Sequence, residues 1–208
     1  MALQHLRYMA LPPHIKEGGF DHAAVHGPTA RLYVAHTTND AVDVIDCVTD
    51  KYLHSLPGLT GIAGALVSDE RTLFFTSNRG EDTVSAFQAG TEAMLSRIPV
   101  GLRPNGLAYD PRRNHLLVAN VGNPQISGSF TVSIVDVERR EMVHSLPVPG
   151  RTRWTVYDRD TDAFYVNIAG PAQIVVIAAA EPVRIQRVFT IPVAGPRSIS
   201  LPGVDLKH

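Results

Sequence analysis

Leu32-Tyr-Val-Ala-His36, Phe74-Phe-Thr-Ser-Asn78, Leu116-Leu-Val-Ala-Asn120 and Phe164-Tyr-Val-Asn-Ile168 are four versions of one short β-rich run, and they begin 42, 42 and 48 residues apart. The extra residues of the last interval fall mainly in the Gly/Pro/Ser-rich stretch Val121–Ser129. Working outward from these anchors, each copy continues into a second β-branched run: Ala41–Asp46, Thr83–Phe87, Thr131–Asp136 and Gln173–Ile177. Such runs bounded by turn residues are the signature of strands. Upstream of each anchor lies another strand candidate, His22–Gly27, Gly64–Asp69, Gly106–Pro111 and Trp154–Arg159, each ending five residues before its anchor. After each second run a polar turn leads to a fourth strand near Pro or Gly, at Tyr52–Pro57, Ser96–Val100, Glu141–Val148 and Ile185–Val193.

Four strands per unit, here called a to d, recurring at 40 to 45 residues are the pattern of β-propeller blades. The sequence predicts an all-β fold with blades at about 19–58, 61–101, 103–149 and 151–194 in a single domain spanning 1–208. No stretch sustains apolar spacing at helical period, and the nearest exception, Thr91–Arg97, sits in the register of a c–d connection. Leu3–Ala10 has the register of a d strand, and residues 195–208 begin a fifth repeat that stops after its a strand. A partial or truncated ring is therefore expected, with open blade edges through which copies self-associate.

The composition is that of an ordinary globular protein, 44% hydrophobic and 19% charged. Nineteen basic against twenty acidic residues leave a net charge of −1, which argues against a nucleic-acid partner or an anionic membrane surface. One cysteine, Cys47, excludes an internal disulfide framework and a multi-thiolate zinc site. The start, Met1–Tyr8, lacks a basic region followed by an apolar stretch, and no apolar run approaches the roughly 18 residues of a membrane span. The expectation is a cytoplasmic chain without membrane contact.

With these units quoted, residues 19–194 resemble the YVTN-type (YncE-like) β-propeller repeat family, through Pro104-Asn-Gly-Leu-Ala-Tyr-Asp-Pro111, Leu116-Leu-Val-Ala-Asn120 and Thr131-Val-Ser-Ile-Val-Asp136 above all. The resemblance implies a scaffold whose ligand the fold does not dictate. Pro104-Asn105-Gly106-Leu107 is also similar to a tetrapeptide of the gluconolactonase and regucalcin propellers, where the Asn ligates a divalent cation. Glu17-Gly-Gly-Phe20 loosely matches an early segment of that group, and its downstream Asp ligand has no counterpart here.

In a propeller the a strands line the axis and their starts converge on one mouth, the default place for a ligand. Overlaying the repeats, the position just before the a-strand anchor reads Asp21, Ala63, Asn105, Arg153 and Arg197, and the next reads His22, Gly64, Gly106, Trp154 and Ser198. Asp21, His22, Asn105, Arg153, Trp154 and Arg197 are thus the candidate ligand-binding residues. The arginines suit a carboxylate or phosphate, Asp21 with Asn105 suits an oxygen-preferring cation such as Ca²⁺, and His22 suits a base or ligand. The alternative is that these polar groups bind only water or one another. A second column, His36, Asn78 and Asn120 with Asn167 one place early, is read as turn-forming, as are Asp46 and Asp136. Glu138–Glu141 is read as solvated surface.

No Gly-x-Ser-x-Gly elbow, His-Glu-x-x-His, phosphate loop or helix-opening Gly-x-Gly-x-x-Gly occurs, so no catalytic residue is assigned. Three classes of function stay open. The first is a non-catalytic propeller that binds a small molecule or a protein at the axial mouth. The second is a Ca²⁺-dependent lactone hydrolase resting on Asn105 with Asp21 or Glu17. The third, a quinone-linked periplasmic propeller, requires a signal peptide that the quoted start does not display.

Overall fold

The computed structural model describes residue 5 and residues 8–192. Among these residues sixteen strands form four antiparallel sheets, each a four-strand meander in sequence order. Sheet 1 holds β1 (Ala23–His26), β2 (Arg31–His36), β3 (Ala41–Asp46) and β4 (Lys51–Pro57). Sheet 2 holds β5 (Ile62–Ser68), β6 (Leu73–Asn78), β7 (Thr83–Gln88) and β8 (Met94–Pro99). Sheet 3 is β9 (Pro104–Asp110), β10 (His115–Asn120), β11 (Thr131–Asp136) and β12 (Glu141–Pro147). Sheet 4 is β13 (Thr152–Asp158), β14 (Ala163–Ile168), β15 (Gln173–Ala178) and β16 (Ile185–Thr190). Among the described residues the only helical element is a 3-10 turn at Thr37–Asn39, so none forms a helix long and apolar enough to cross a membrane. The a strands of sheets 2, 3 and 4 begin two residues earlier than their sequence anchors suggest. Thr91–Arg97 is a turn running into β8.

The sheets stack face to face, which is why the middle strands are apolar without alternation. In β6, Phe74 points to sheet 1 and stacks on Tyr33 at 4.0 Å, whereas its neighbour Phe75 points to sheet 3 against Tyr109. Leu117, Val132 and Ile134 of sheet 3 meet Phe164, Val166 and Ile177 of sheet 4 in the third core. Truncating a buried aromatic such as Phe74 would cost about 3–5 kcal/mol. The d strands carry the exposed edges, with β16 exposed along nearly its whole length.

The turns repeat as faithfully as the strands. Ala30, Thr72, Asn114 and Asp162 take left-handed φ between 49° and 57° at the a–b turns, and Asp40 and Asp82 do so at the b–c turns. Ion pairs tie the sheets together at the far end of the a strands. Arg113 of sheet 3 bridges its own Asp110 at 2.6 Å and Asp162 of sheet 4 at 2.7 Å, and Arg159 of sheet 4 meets Glu70 of sheet 2 at 2.8 Å.

The expectation for His36, Asn78 and Asn120 is corrected by their burial. All three are fully buried at the ends of b strands and bond across to the c strand, rather than forming turns. Asn78 Nδ2–H donates to Ser85 Oγ at 2.9 Å, and Asn120 Nδ2–H to Ser133 Oγ at 3.0 Å. Sheet 1 puts a His and an Asp in these places, and His36 Nδ1–H donates to Asp43 Oδ2 at 2.8 Å. The other ring nitrogen of His36, Nε2, lies 2.8 Å from His14 Nδ1, so the two imidazoles share a hydrogen bond. Asn167 lies one place earlier, its side chain buried and without a hydrogen-bond partner among the described residues. Asp46 and Asp136 do close their c strands as expected, accepting backbone N–H groups of Thr49 and Arg139 at 2.8 and 2.9 Å. Arg139 pairs with Glu141 on exposed surface, also as expected.

The segment from Pro13 to Phe20 lies over the end of sheet 1, held by His14, by Ile15 N–H on Asn39 Oδ1 and by Lys16 on Asp40. Of Leu3–Ala10, residues 5 and 8–10 are described, none in a strand; the fifth repeat, with Arg197, lies outside the described residues.

Candidate ligand site at the axial mouth

The a strands converge so closely at their starts that side chains are excluded there. A Cβ on Gly106 would stand 2.5 Å from the Arg153 carbonyl oxygen and 3.0 Å from Trp154 Cα, and one on Gly64 would overlap the Asn105 carbonyl oxygen. Glycine in the second column of sheets 2 and 3 therefore has a packing reason. The outer sheets place rings in that column instead. His22 of sheet 1 and Trp154 of sheet 4 reach across the axis and stack, with centroids 4.0 Å apart and planes 16° from parallel.

Above this pinch is a cavity of about 470 Å³ lined by Asp21, His22, Arg79, Arg103, Asn105, Val121, Arg151, Arg153 and Trp154. The structure thus brings together five of the six residues expected from the sequence. It adds Arg79, Arg103 and Arg151, which the two compared columns do not contain. Arg103 and Arg151 occupy the column two places before Asn105 and Arg153, where the earlier repeats carry Gly19 and Gly61. Arg79 follows β6 directly, where the other repeats have Thr37, Val121 and Ala169.

Local structure aims these arginines. The Asp40 carboxylate accepts the Gly61 N–H at 2.7 Å, and one repeat later Asp82 accepts the Arg103 N–H at 2.7 Å. Both held residues adopt left-handed backbone, Gly61 at φ 59° and Arg103 at φ 55°. For glycine that conformation is free; for arginine it is strained. The Arg79 N–H donates to the Gly61 carbonyl at 3.2 Å, which fixes the base of its side chain.

The electrostatics are lopsided. Among the described lining residues Asp21 is the lone carboxylate against four guanidinium groups. Arg79 donates to Asn105 Oδ1 and, at 3.4 Å, to Asp21 Oδ2. Burial holds the Arg79 pKa below its ordinary value, and the neighbouring charges of Arg103 and Arg151 push the same way against the pull of Asp21. Asp21 titrates below the usual carboxylate value: burial works to raise it, but the hydrogen bond and charge of His22, then Arg79, outweigh that. His22 Nδ1–H is shared between Asp21 Oδ1 at 2.8 Å and the Ala63 carbonyl at 3.2 Å, which orients the ring onto Trp154.

Asp21 and Asn105 do lie on one cavity wall, but both turn an oxygen to the Arg79 guanidinium. A divalent cation placed between them would have to displace that charge. Among the described residues no cluster of three or more His, Cys, Asp or Glu is arranged to hold a metal ion.

No protein-family model matches the chain, and no curated protein matches it in sequence. Solved structures match its fold. Hydrazine synthase of Kuenenia stuttgartiensis superposes with a TM-score of 0.74 at 18% identity, over 91% of this chain and 53% of that one. A functionally unknown protein from Desulfotomaculum acetoxidans DSM 771 superposes with a TM-score of 0.69 at 14% identity, over 86% of this chain and 59% of that one. The chain therefore spans between half and three fifths of the length of these neighbours. At such identities the likeness speaks to fold alone, and together with four successive four-stranded meanders it establishes a β-propeller arrangement of blades.

Proposed function

We propose that this chain is a non-catalytic binding module that takes a small anion, a carboxylate or phosphate, at its axial mouth. The observation that carries the reading is the set of Arg79, Arg103, Arg151 and Arg153 around a single carboxylate in one cavity. Gathering like charges at a half-buried site costs free energy, and a bound anion returns it through charge-assisted hydrogen bonds that guanidinium groups make in forked geometry. The left-handed backbone of Arg103 supports the same reading, because strain of this kind persists where a side chain is needed in place. We read the chain as one of the YVTN-type propellers, on the repeat units quoted above, and as one that works in the cytoplasm.

The second reading, a Ca²⁺-dependent lactonase, rests on Asp21 and Asn105 lying together. Their shared contact with Arg79 favours the anion. Titration of the purified chain with inorganic phosphate, followed through the emission of Trp154, tests the proposal, since Trp154 is the one tryptophan of the sequence and lines the cavity.

A further inference from the structure

The arginines of the mouth come from three successive blades: Arg79 from the connection after β6, Arg103 from the loop before β9, and Arg151 and Arg153 from the entry to β13. Three of them are rooted at the same backbone hydrogen bond. The Arg103 carbonyl accepts the Val121 N–H at 2.9 Å, and the Arg151 carbonyl accepts the Ala169 N–H at 2.8 Å, each from the b–c connection of its own blade. In sheet 2 the acceptor is Gly61, which has no side chain, and the arginine stands on the donor, Arg79, instead. Arg103 and Arg151 come near enough to Arg79 for their charges to press on its protonation. Against these groups Asp21 is the lone carboxylate among the described lining residues, so three guanidinium charges are in excess. The Gly64–Gly106 pinch and the His22–Trp154 stack close the floor, so a ligand held here does not run on along the axis. At about 30 Å³ per water-sized group the cavity of about 470 Å³ holds roughly fifteen heavy atoms, about three times what inorganic phosphate fills.

Resting on the anion reading of the mouth, we infer that the ligand is a compact polyanion, a small molecule carrying two or more phosphate or carboxylate groups whose combined charge matches the excess of guanidinium groups. A single anionic group offers its oxygens at one point and is met by one or two forked guanidinium groups. Arginines rooted on three blades surround a more extended charge. With one anionic group bound, the remaining guanidinium groups still repel one another, and a second group placed among them relieves that cost. Apart from Val121 and the Trp154 indole, the lining side chains are charged or hydrogen-bonding, which suits a ligand polar over its whole surface. Phosphate and carboxylate present the same forked acceptors to guanidinium, so the binding chemistry is shared and the experiment separates the two sources.

The test is calorimetric titration of the whole chain, in buffer freed of divalent cations by a chelating resin, with inorganic phosphate, diphosphate, acetate and citrate. One further charged hydrogen-bond partner is worth on the order of 10–100-fold in affinity, so diphosphate should bind roughly tenfold or more tightly than phosphate, or citrate than acetate. Tight binding of diphosphate alone names a phosphorylated ligand, and of citrate alone a polycarboxylate; either result, or both together, supports the inference. Arg103→Ala and Arg151→Ala should each lower the affinity of the tighter ligand by a similar factor, and their places on separate blades keep the test intact if one variant folds poorly. Phosphate and acetate binding as tightly as diphosphate and citrate would overturn the polyanion and leave the anion site standing. Failure of all four to bind would overturn the anion reading and this inference together. Diphosphate or citrate binding that is unchanged in both variants would lie elsewhere on the surface, and would equally overturn it.

Discussion

Replacing Arg103 with glycine should make the protein more stable and its mouth less able to hold an anion. Arg103 sits at φ 55° because Asp82 holds its N–H, and the equivalent residue one repeat earlier is Gly61 at φ 59°. A left-handed conformation costs an L-residue about 1–2 kcal/mol. Glycine returns roughly 0.4–1 kcal/mol of that through the greater freedom of its unfolded chain. The balance, with some relief of the repulsion on Arg79, is a gain on the order of 0.5–1 kcal/mol. For a chain of this size that raises Tm by roughly 1–4 °C in a calorimetric scan. The same change removes one charged hydrogen-bond donor from the ligand, worth about 1.5–3 kcal/mol, so phosphate affinity should fall on the order of 10–100-fold. Arg103→Ala separates the two effects, because it removes the charge and keeps the strain: the affinity loss should match, without the full gain in Tm. A lower Tm for Arg103→Gly, or unchanged phosphate affinity, would refute the link between strain and site.

Three further outcomes follow from the packing and the charges. His36→Ala leaves the fully buried Asp43 carboxylate with Ser55 alone and should cost about 3–5 kcal/mol in denaturant unfolding. His36→Asn combined with Asp43→Ser installs the Asn–Ser pairing of sheets 2 and 3 and should recover most of that loss; additive losses would contradict the pairing. Gly106→Ala forces a methyl against the Arg153 carbonyl and Trp154 Cα, backbone atoms that cannot swing aside, so a loss of about 1–3 kcal/mol is expected in the same assay, and a neutral result would argue against the pinch. Acid should weaken the fold through its depressed aspartates. Asp46 is lowered to about 2, chiefly by the Thr49 N–H, and Asp162 is lowered chiefly by its hydrogen bond to Arg113. A depressed folded pKa contributes stability above the unfolded value near 3.8 and loses it as pH falls toward 2, so denaturant midpoints should drop across that window and stay flat above about pH 5.

The blades were legible because a period of 42 residues aligns every strand with its copies, and the β-branched central strands repeat at the same offsets. The same overlay found Asp21, Asn105 and Arg153, since polar residues in an axial column stand out against small ones. It missed Arg103 and Arg151 because it stopped at two columns, and the column two places upstream, with Gly19 and Gly61 as its other members, carries the signal. Arg79 was harder to see: it comes from the b–c connection, and only the folded chain shows that this connection and the d–a loop reach the same mouth. His36 was misread for a physical reason. Asn and His at strand ends suggest turns when burial is unknown, whereas full burial demands a partner, and the partner is two places along the facing strand, where register sets Asp43 opposite Val34. The His22–Trp154 stack joins residues far apart in sequence and has no local signature at all.

The central claim, an anion held by arginines at the axial mouth, is tested most directly by the emission of Trp154 during titration with inorganic phosphate, in parallel with Ca²⁺ and with chelator. A saturable change with phosphate that is lost in Arg151→Ala/Arg153→Ala and indifferent to Ca²⁺ is the predicted result. A flat phosphate titration alongside a saturable, chelator-reversed response to Ca²⁺ would contradict the claim and move the site to the Asp21/Asn105 metal reading.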